Sequence, residues 1–246
     1  MSNTIIVILA GGTGKRMQSD LPKVLHIIQN EPMIVKIVKQ AILFNPMKIC
    51  IVVGIHKDAI QKTLAKYVDI TNIEFIIQNN PKGTGHAMMC AIPSIESYLT
   101  SKVLILYGDT PFINCETMQL INQSKHRVTI TTMYKKNPSG SGRIIDINNQ
   151  FLHIVEEKDC TLEQRTIQRV NCGTYSIESA LLCKYLPQLD NNNMQGEYYL
   201  TDIISLIKIS ENIEINMITI PPHKQHLLMG VNSKEELKIL EKYINE

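Results

Sequence analysis

The 246-residue chain carries 25 Lys and Arg against 23 Asp and Glu, a formal charge of +2, with 44% hydrophobic, 5% aromatic and 20% charged residues. A protein that neutralises nucleic-acid phosphates needs a basic surplus or stripe, so this balance excludes nucleic acid as an expected partner. Ordinary globular composition at this length allows one large domain or two small ones, with a core that needs no staples.

From the start, apolar β-rich runs alternate with longer amphipathic stretches. Ile5 to Leu9 reads as a strand and Met33 to Phe44 as a helix; Ile49 to Val53 and then His56 to Tyr67 repeat the pair. Ile73 to Gln78 and Thr84 to Tyr98 repeat it again, and Val103 to Tyr107 is a further strand. Continuous apolar strands imply burial on both faces, the pattern of a mainly parallel sheet with crossover helices on each side. Pro32 stands where a first helical turn tolerates proline, and Gly54, Gly83 and Gly108 punctuate strand ends. After about Lys125 the pattern changes. Val128 to Tyr134, Ile144 to Ile147, Phe151 to Val155 and Val170 to Ile177 are strand-like runs joined by short polar turns, which predicts a more antiparallel half. Glu178 to Tyr185 and Thr201 to Ile209 read as helices and Ile213 to Ile220 as a strand; Ser233 to Tyr243 reads as a closing helix with apolar spacing at Leu237, Leu240 and Ile244. No linker separates the halves, so one domain over 1–246 is expected, with lobes of about 1–125 and about 126–246.

The longest apolar runs fall far short of the roughly 18 residues of a membrane span, so no membrane partner is expected. Met1-Ser2-Asn3-Thr4 lacks a basic patch leading into a long apolar segment, and a cytoplasmic protein without a secretory signal is expected. The six scattered cysteines form no Cys-x-x-Cys pair and read as reduced thiols.

The first strand runs directly into Ala10-Gly11-Gly12-Thr13-Gly14-Lys15-Arg16-Met17. Small residues let the backbone approach a ligand, and its N–H groups with the two cations suit a polyphosphate. A dinucleotide fingerprint would need a third glycine where Met17 stands, and a P-loop cannot be placed here. The glycines alone also fit a bare strand-to-helix turn. Pro22-Lys23 then brings a second cation behind a proline, so Arg16 and Lys23 flank one loop, as the charge of a phosphoryl transfer requires. Lys23 is expected as an exposed phosphate ligand that contributes little to the fold.

The run Leu9 to Met17 followed by Pro22-Lys23 resembles the signature of the sugar nucleotidyltransferases, Leu-Ala-x-Gly-x-Gly-Thr-Arg-Met with Pro-Lys. Within that family it is most similar to the uridylyltransferase domains that make UDP-N-acetylglucosamine. Gly11 stands for the usual Ala, a sterically harmless change, and Lys15 for the usual Thr. The resemblance implies nucleotide binding by Leu9, Ala10, Gly11, Gly12 and Gly14, and catalytic roles for Arg16 and Lys23. Gln78, with Gly83-Thr84-Gly85-His86-Ala87 five residues on, is similar to the family's Gln-x-x-x-x-Gly-Thr-Gly-His-Ala, which implies that Gln78, Gly83 and Thr84 hold uracil. A glutamine amide can donate and accept toward a pyrimidine edge; a glycine turn capping a helix is the plainer alternative. His86 reads as a structural helix residue.

Leu104 to Tyr107 ends in Gly108-Asp109, and a strand-end carboxylate is well placed for a divalent ion bridging phosphates, or to cap the next helix. The resemblance implies Mg²⁺ on Asp109 and Asn232; Asn232 could instead cap the last helix. Ser141-Gly142-Arg143-Ile144 is similar to Tyr-Gly-Arg-Ile, with Ser141 in place of the aromatic. Val155 to Asp159, Asn171-Cys172-Gly173 and the long run Asn191 to Asp202 also match. These imply sugar-binding roles for Gly142, Glu156, Asn171, Tyr199 and Thr201. Read without the resemblance, Glu156 to Asp159 is a solvated charged turn and the tyrosines are packing residues.

The sequence shows no motif of a nucleophile with an adjacent base, which suits direct displacement, and the loose spacing of His223 and His226 reads as a surface or structural feature instead of a metal site. The resemblance runs from Leu9 to about Asn232. It implies a Rossmann-like nucleotide-diphospho-sugar transferase fold, a mainly parallel central sheet flanked by helices with a smaller antiparallel sugar-binding lobe. It further implies UTP and N-acetylglucosamine-1-phosphate as substrates. A nucleotidyltransferase for another sugar-1-phosphate and a non-catalytic sugar-nucleotide sensor are the alternatives. The oligomeric state stays open.

Overall fold

In the computed structural model, residues 2–12 and 14–245 are described, and the side chains of Ser2, Lys15, Tyr243, Ile244 and Asn245 lie outside the description, as do the expectations for Lys15 and Ile244. In chain order the first half comprises β1 (Ser2–Ala10), β2 (Ile27–Ile28), β3 (Glu31–Pro32), α1 (Met33–Phe44), β4 (Pro46–Val53), α2 (Lys57–Leu64), β5 (Ile73–Ile77), α3 (Thr84–Ile95) and β6 (Lys102–Tyr107). Then follow α4 (Cys115–Asn122), β7 (Val128–Tyr134), β8 (Arg143–Ile147), β9 (Gln150–Val155), β10 (Arg169–Glu178), α5 (Ser179–Tyr185), α6 (Asp202–Glu211), β11 (Asn216–Thr219) and α7 (Lys234–Asn245).

The main sheet has the order β11-β7-β10-β6-β1-β4-β5, and β8 with β9 extends it as a hairpin attached to β10. Strands β6, β1, β4 and β5 are mutually parallel. β10 is antiparallel to both β6 and β7, and β11 is parallel to β7, so β7 and β11 run in the same sense as the first half. The antiparallel character of the second half therefore resides in β10 and the β8–β9 hairpin, and the sheet passes between the halves without a break.

The aliphatic strands explain this burial. Successive side chains of a strand point to opposite faces. Ile5, Val7 and Leu9 join Val103 and Ile105 in a core that α3, α5 and α6 cover through Met88, Leu182 and Ile203. Ile6, Ile8 and Ala10 join Leu104 and Leu106 in a second core on the other face, covered by α1, α2 and α4 through Ile34, Leu64 and Met118. Helix α1 ends at Asn45, whose left-handed backbone (φ 56°) receives the last turn. Pro32 caps that helix from outside instead of standing within its first turn.

The helix after Asp109 is α4, which Asp109 does not cap, and the β2–β3 ribbon lies outside the sequence expectations. Helix α4 is capped by Asn114, whose side chain accepts from the Thr117 N–H at 2.9 Å. The β2–β3 ribbon turns through Gln29 and Asn30, both with positive φ. It presents Ile28 to a small third core with Met33, Val231 and Leu240, which docks α7 against the first half. No helix among the described residues is long and apolar enough to cross a membrane.

Candidate active site

Because β1, β4, β5 and β6 are parallel, the segments leaving their carboxyl ends emerge along one edge. The ladder continues a residue beyond the strands: the Gly108 N–H donates to Leu9 O at 2.9 Å, and the Gln78 N–H to Val53 O at 2.7 Å. A cavity of about 430 Å³ opens there. Leu9, Ala10, Gly12, Lys23, Gln78, Gly83, Thr84, Asp109 and Asn232 line it, and so do Tyr107 and Glu197, which the sequence reading passed over. The only sign of Tyr107 in the sequence is a phenol at the end of an otherwise aliphatic strand.

The glycine loop serves the site in different ways along its length. Gly12 has open space around it, so its backbone is free to be approached. A Cβ at Gly11 would lie 2.9 Å from Gln78 Oε1, so glycine in place of the usual alanine gives that amide room. Gly14 has a φ of +62°, and a Cβ there would meet Lys23 Cβ at 2.7 Å. Its glycine is thus needed to seat the Lys23 turn, and Gly14 is not part of the lining. Arg16 is exposed on the short turn after Gly14, held by buried Met17, and lies outside the lining as well.

Lys23 departs from its expected exposure. Buried Val24 and Leu25 anchor its turn behind Pro22, and the side chain is only 16% exposed. Its ammonium is paired with Asp109 Oδ2 and donates to Asn232 Oδ1 at 3.1 Å. The Val231 N–H donates to Asp109 O at 2.9 Å, which ties the approach of α7 to the end of β6. Asn232 does not cap α7; Ser233 does, accepting from the Glu236 N–H, while Glu236 takes the Asn232 N–H at 2.7 Å. One carboxylate and one amide oxygen thus face a single cationic point. Such hard oxygen donors fit a divalent ion that keeps most of its shell for water and phosphate. No cluster of three or more His, Cys, Asp or Glu suited to a metal occurs among the described residues.

Gln78 is 3% exposed. Its Nε2 donates to Gly83 O at 3.1 Å and lies 3.0 Å from His86 Nδ1. The Gly83 turn is stitched to the far half of the chain: Tyr198 N–H donates to Lys82 O and Gly85 N–H to Tyr198 O, both at 2.8 Å, and Leu200 N–H donates to Thr84 Oγ1 at 3.1 Å.

The five expected sugar residues gather beside this cavity but do not line it. Thr201 Oγ1 donates to Glu156 Oε1 at 2.9 Å, and Gly142 packs against the other Glu156 oxygen. Asn171 N–H donates to Gly142 O at 2.9 Å, and its amide is held by Tyr175 OH and the Gly173 N–H. Tyr199 OH donates to Asp159 Oδ2 at 3.0 Å. The Tyr107 ring, against Gly173, joins the two groups. Burial pushes the Tyr107 phenol up, with Glu156 and Asp109 adding to it. Burial also raises Glu156, Asp159 adding and the Thr201 hydroxyl opposing. Asp202 is pushed up to about 6 by burial and by Glu156, Asp190 and Asp159. Ser141 accepts from Lys135 Nζ at 3.0 Å, and buried Arg143 pairs with Glu157 at 2.8 Å.

A parallel sheet with glycine turns, a Lys–Asp–Asn cluster and a polar annex at its carboxyl edge is the layout of a nucleotide-handling enzyme. Residues 6–160 match the family of MobA-like NTP transferase domains. The chain belongs to that family and is a nucleotidyltransferase, a class of enzyme that generally uses a divalent metal. A protein of Acanthamoeba polyphaga mimivirus named "Probable UDP-N-acetylglucosamine pyrophosphorylase" is 42% identical over 241 residues, covering 96% of this chain and 94% of its own length. The bifunctional protein GlmU of Neisseria gonorrhoeae is 38% identical over 238 residues, and the match spans 96% of this chain but 50% of that protein. A solved UDP-glucose pyrophosphorylase complexed with UDP-glucose has the same fold, with a TM-score of 0.76 at 16% identity over 100% of this chain and 99% of that one.

Two consequences follow from the geometry. Gly14→Ala should lower stability by about 1–3 kcal/mol, because it strains the backbone and strikes Lys23 Cβ; denaturant unfolding measures this, and wild-type stability would contradict the packing. Asp202, raised from its ordinary 3.8 to about 6, retains a proton in the folded state that the unfolded chain releases. Its stabilising contribution is complete below about pH 4 and is lost as pH rises through 6. Asp202→Asn should therefore stabilise the protein at pH 7 by roughly 1–3 kcal/mol, the upper figure being the full worth of a two-unit shift and the lower what solvent screening of a part-exposed group leaves, and have no such effect at pH 4, as read by unfolding at both values.

Proposed function

We propose that the chain is an N-acetylglucosamine-1-phosphate uridylyltransferase, making UDP-N-acetylglucosamine and pyrophosphate from UTP with Mg²⁺ in the cytoplasm. The observation that carries this reading is the meeting of Lys23, Asp109 and Asn232 in the cavity that Gln78 and Gly83 also line. The similarity to the mimivirus pyrophosphorylase along nearly the whole of both chains supports the choice of sugar. The free cysteines fit a reducing compartment.

In this reading a sugar-1-phosphate oxygen attacks the α-phosphorus of UTP in line and pyrophosphate leaves. The backbone at Leu9 to Gly12 holds the triphosphate. Lys23, already directed at the site, offsets charge on the reacting phosphates, and Arg16 supplies a second cation from the exposed turn. Gln78, Gly83 and Thr84 fix the uracil. Gly142, Glu156, Asn171, Tyr199 and Thr201 orient the amino sugar, so its phosphate is presented toward the nucleotide. Bound to Asp109 and Asn232, Mg²⁺ would polarise phosphate oxygens. Positioning and fixed charge do the rest of the work, and no covalent intermediate is required.

Pyrophosphate release from UTP should be fast with N-acetylglucosamine-1-phosphate and slow with glucose-1-phosphate, and should stop in chelator. Equal rates with both sugars would overturn the sugar assignment; release in chelator would overturn the metal. Lys23→Ala should lower kcat/KM by about 100-fold or more, and near-normal turnover would remove Lys23 from the mechanism.

A further inference from the structure

We infer that His86 is a positioning residue that fixes which face of the Gln78 amide is shown to the base, and through it the preference for a uracil-type over a cytosine-type nucleotide. The inference rests on the proposed role of Gln78 in reading the base.

Gln78 is buried, so its amide cannot be satisfied by bulk water in either orientation. Gly83 O, 3.1 Å away, can only accept, which directs the amide nitrogen toward it. That nitrogen's second hydrogen then faces His86 Nδ1 at 3.0 Å, so the ring must accept through Nδ1. Both hydrogens are thereby taken, which leaves Oε1, on the side of Gly11, as the free polar atom of a side chain that lines the cavity. The ring is kept in the accepting state by burial and by the charge of Lys82, both of which lower its pKa. Its place is set by the first turn of α3, where the Gly85 N–H donates to Tyr198 O and the Tyr198 ring lies 6.3 Å from the imidazole.

An outward carbonyl accepts from the N3–H of a uracil-type base. At the same place a cytosine-type base presents a lone pair, so the two acceptors repel. Without His86, only Gly83 O holds the amide, and the flipped orientation with its N–H groups outward becomes accessible. One neutral hydrogen bond separates the two arrangements, which corresponds to about a three- to tenfold change.

The test is steady-state pyrophosphate release with UTP and CTP for His86→Leu, His86→Lys, His86→Asn, Gln78→Ala and the double variant Gln78→Ala/His86→Leu. His86→Leu should raise the KM for UTP and lower the UTP-to-CTP ratio of kcat/KM by about three- to tenfold, leaving kcat and the sugar-phosphate KM in place. His86→Lys, which can only donate, should lower the ratio at least as far. His86→Asn, whose Oδ1 accepts from a similar position, should restore it, and the double variant should be no worse than Gln78→Ala. A wild-type ratio in His86→Leu or His86→Lys overturns the inference, as does a His86→Asn variant no better than His86→Leu. These results leave the role of Gln78 intact where Gln78→Ala itself shifts the ratio. A wild-type ratio in Gln78→Ala overturns that role, and the inference with it.

Discussion

Strand β6 is held on one edge by the parallel β1 and on the other by the antiparallel β10, with Ile105 opposite both Val7 and Tyr175. Everything at the site depends on where that strand ends. Tyr107, Gly108 and Asp109 leave it in succession and go to three different partners. The Tyr107 ring packs on Gly173 of β10; Gly108 fits between Val24, Ala10 and the Leu9 carbonyl; Asp109 meets Lys23 and the segment before α7. A register shift of one residue would exchange the faces of the Tyr107 and Asp109 side chains and put a side chain where Gly108 fits. The two aliphatic cores on opposite sides of β6 oppose such a shift, because it would also exchange Leu104 with Ile105 and their buried neighbours.

The near-neutral total charge conceals a division within the site. Lys23 and Arg16 stand on the glycine-loop side, whereas Glu156, Asp159, Asp190 and Asp202 gather on the other. Burial and the neighbouring acids raise Glu156 and Asp202, which weakens the fold at neutral pH. A cost of that kind is consistent with a site whose acids accept from hydroxyl groups: Glu156 already takes one from Thr201, and Asp159 one from Tyr199. The Lys23 ammonium has the opposite setting, being satisfied by Asp109 and Asn232 within the protein. It is positioned by one carboxylate and one amide oxygen from distant parts of the chain, the same donors that suit a divalent ion.

Much of this architecture was legible in the sequence because burial on both faces leaves a simple trace. The unbroken aliphatic run of β1 and the boundaries of α1 and β7 follow from it directly. Helix α4 left little trace, since it is eight residues long and inserts few apolar side chains. The β2–β3 ribbon depends on two non-glycine residues in left-handed backbone, which composition does not reveal. In the site, the clustered motifs marked most of the cavity lining, but contacts across long separations were hidden. The pairing of Lys23 with Asp109, 86 residues apart, makes Lys23 a partly buried structural cation where the sequence predicts an exposed one. Tyr107 looked like another strand residue because nothing local distinguishes a phenol facing a cavity from one packed in a core.

The Gly83 turn owes its conformation to a distant part of the chain. The sequence leaves two readings open there, a residue that holds the base and a glycine turn capping a helix, and Gly83 does stand at the N-cap of α3. Its φ is +103°, and a Cβ would lie 2.5 Å from the Tyr198 carbonyl. The closest constraint is thus the chain itself. Tyr198 belongs to the run from Asn191 to Asp202, whose next residues are Tyr199 and Thr201. Hydrogen bonds from Tyr198 to Lys82 and from Gly85 and Leu200 back across the seam make the Gly83 turn and that run one rigid piece. Any shift of the Gly83 turn must carry Tyr199 and Thr201 along, because those hydrogen bonds would otherwise break in a poorly solvated seam. The two halves of the site therefore inherit their spacing from backbone stitching that exists before any ligand arrives, and preorganisation of that sort is what a reaction driven by positioning and fixed charge requires.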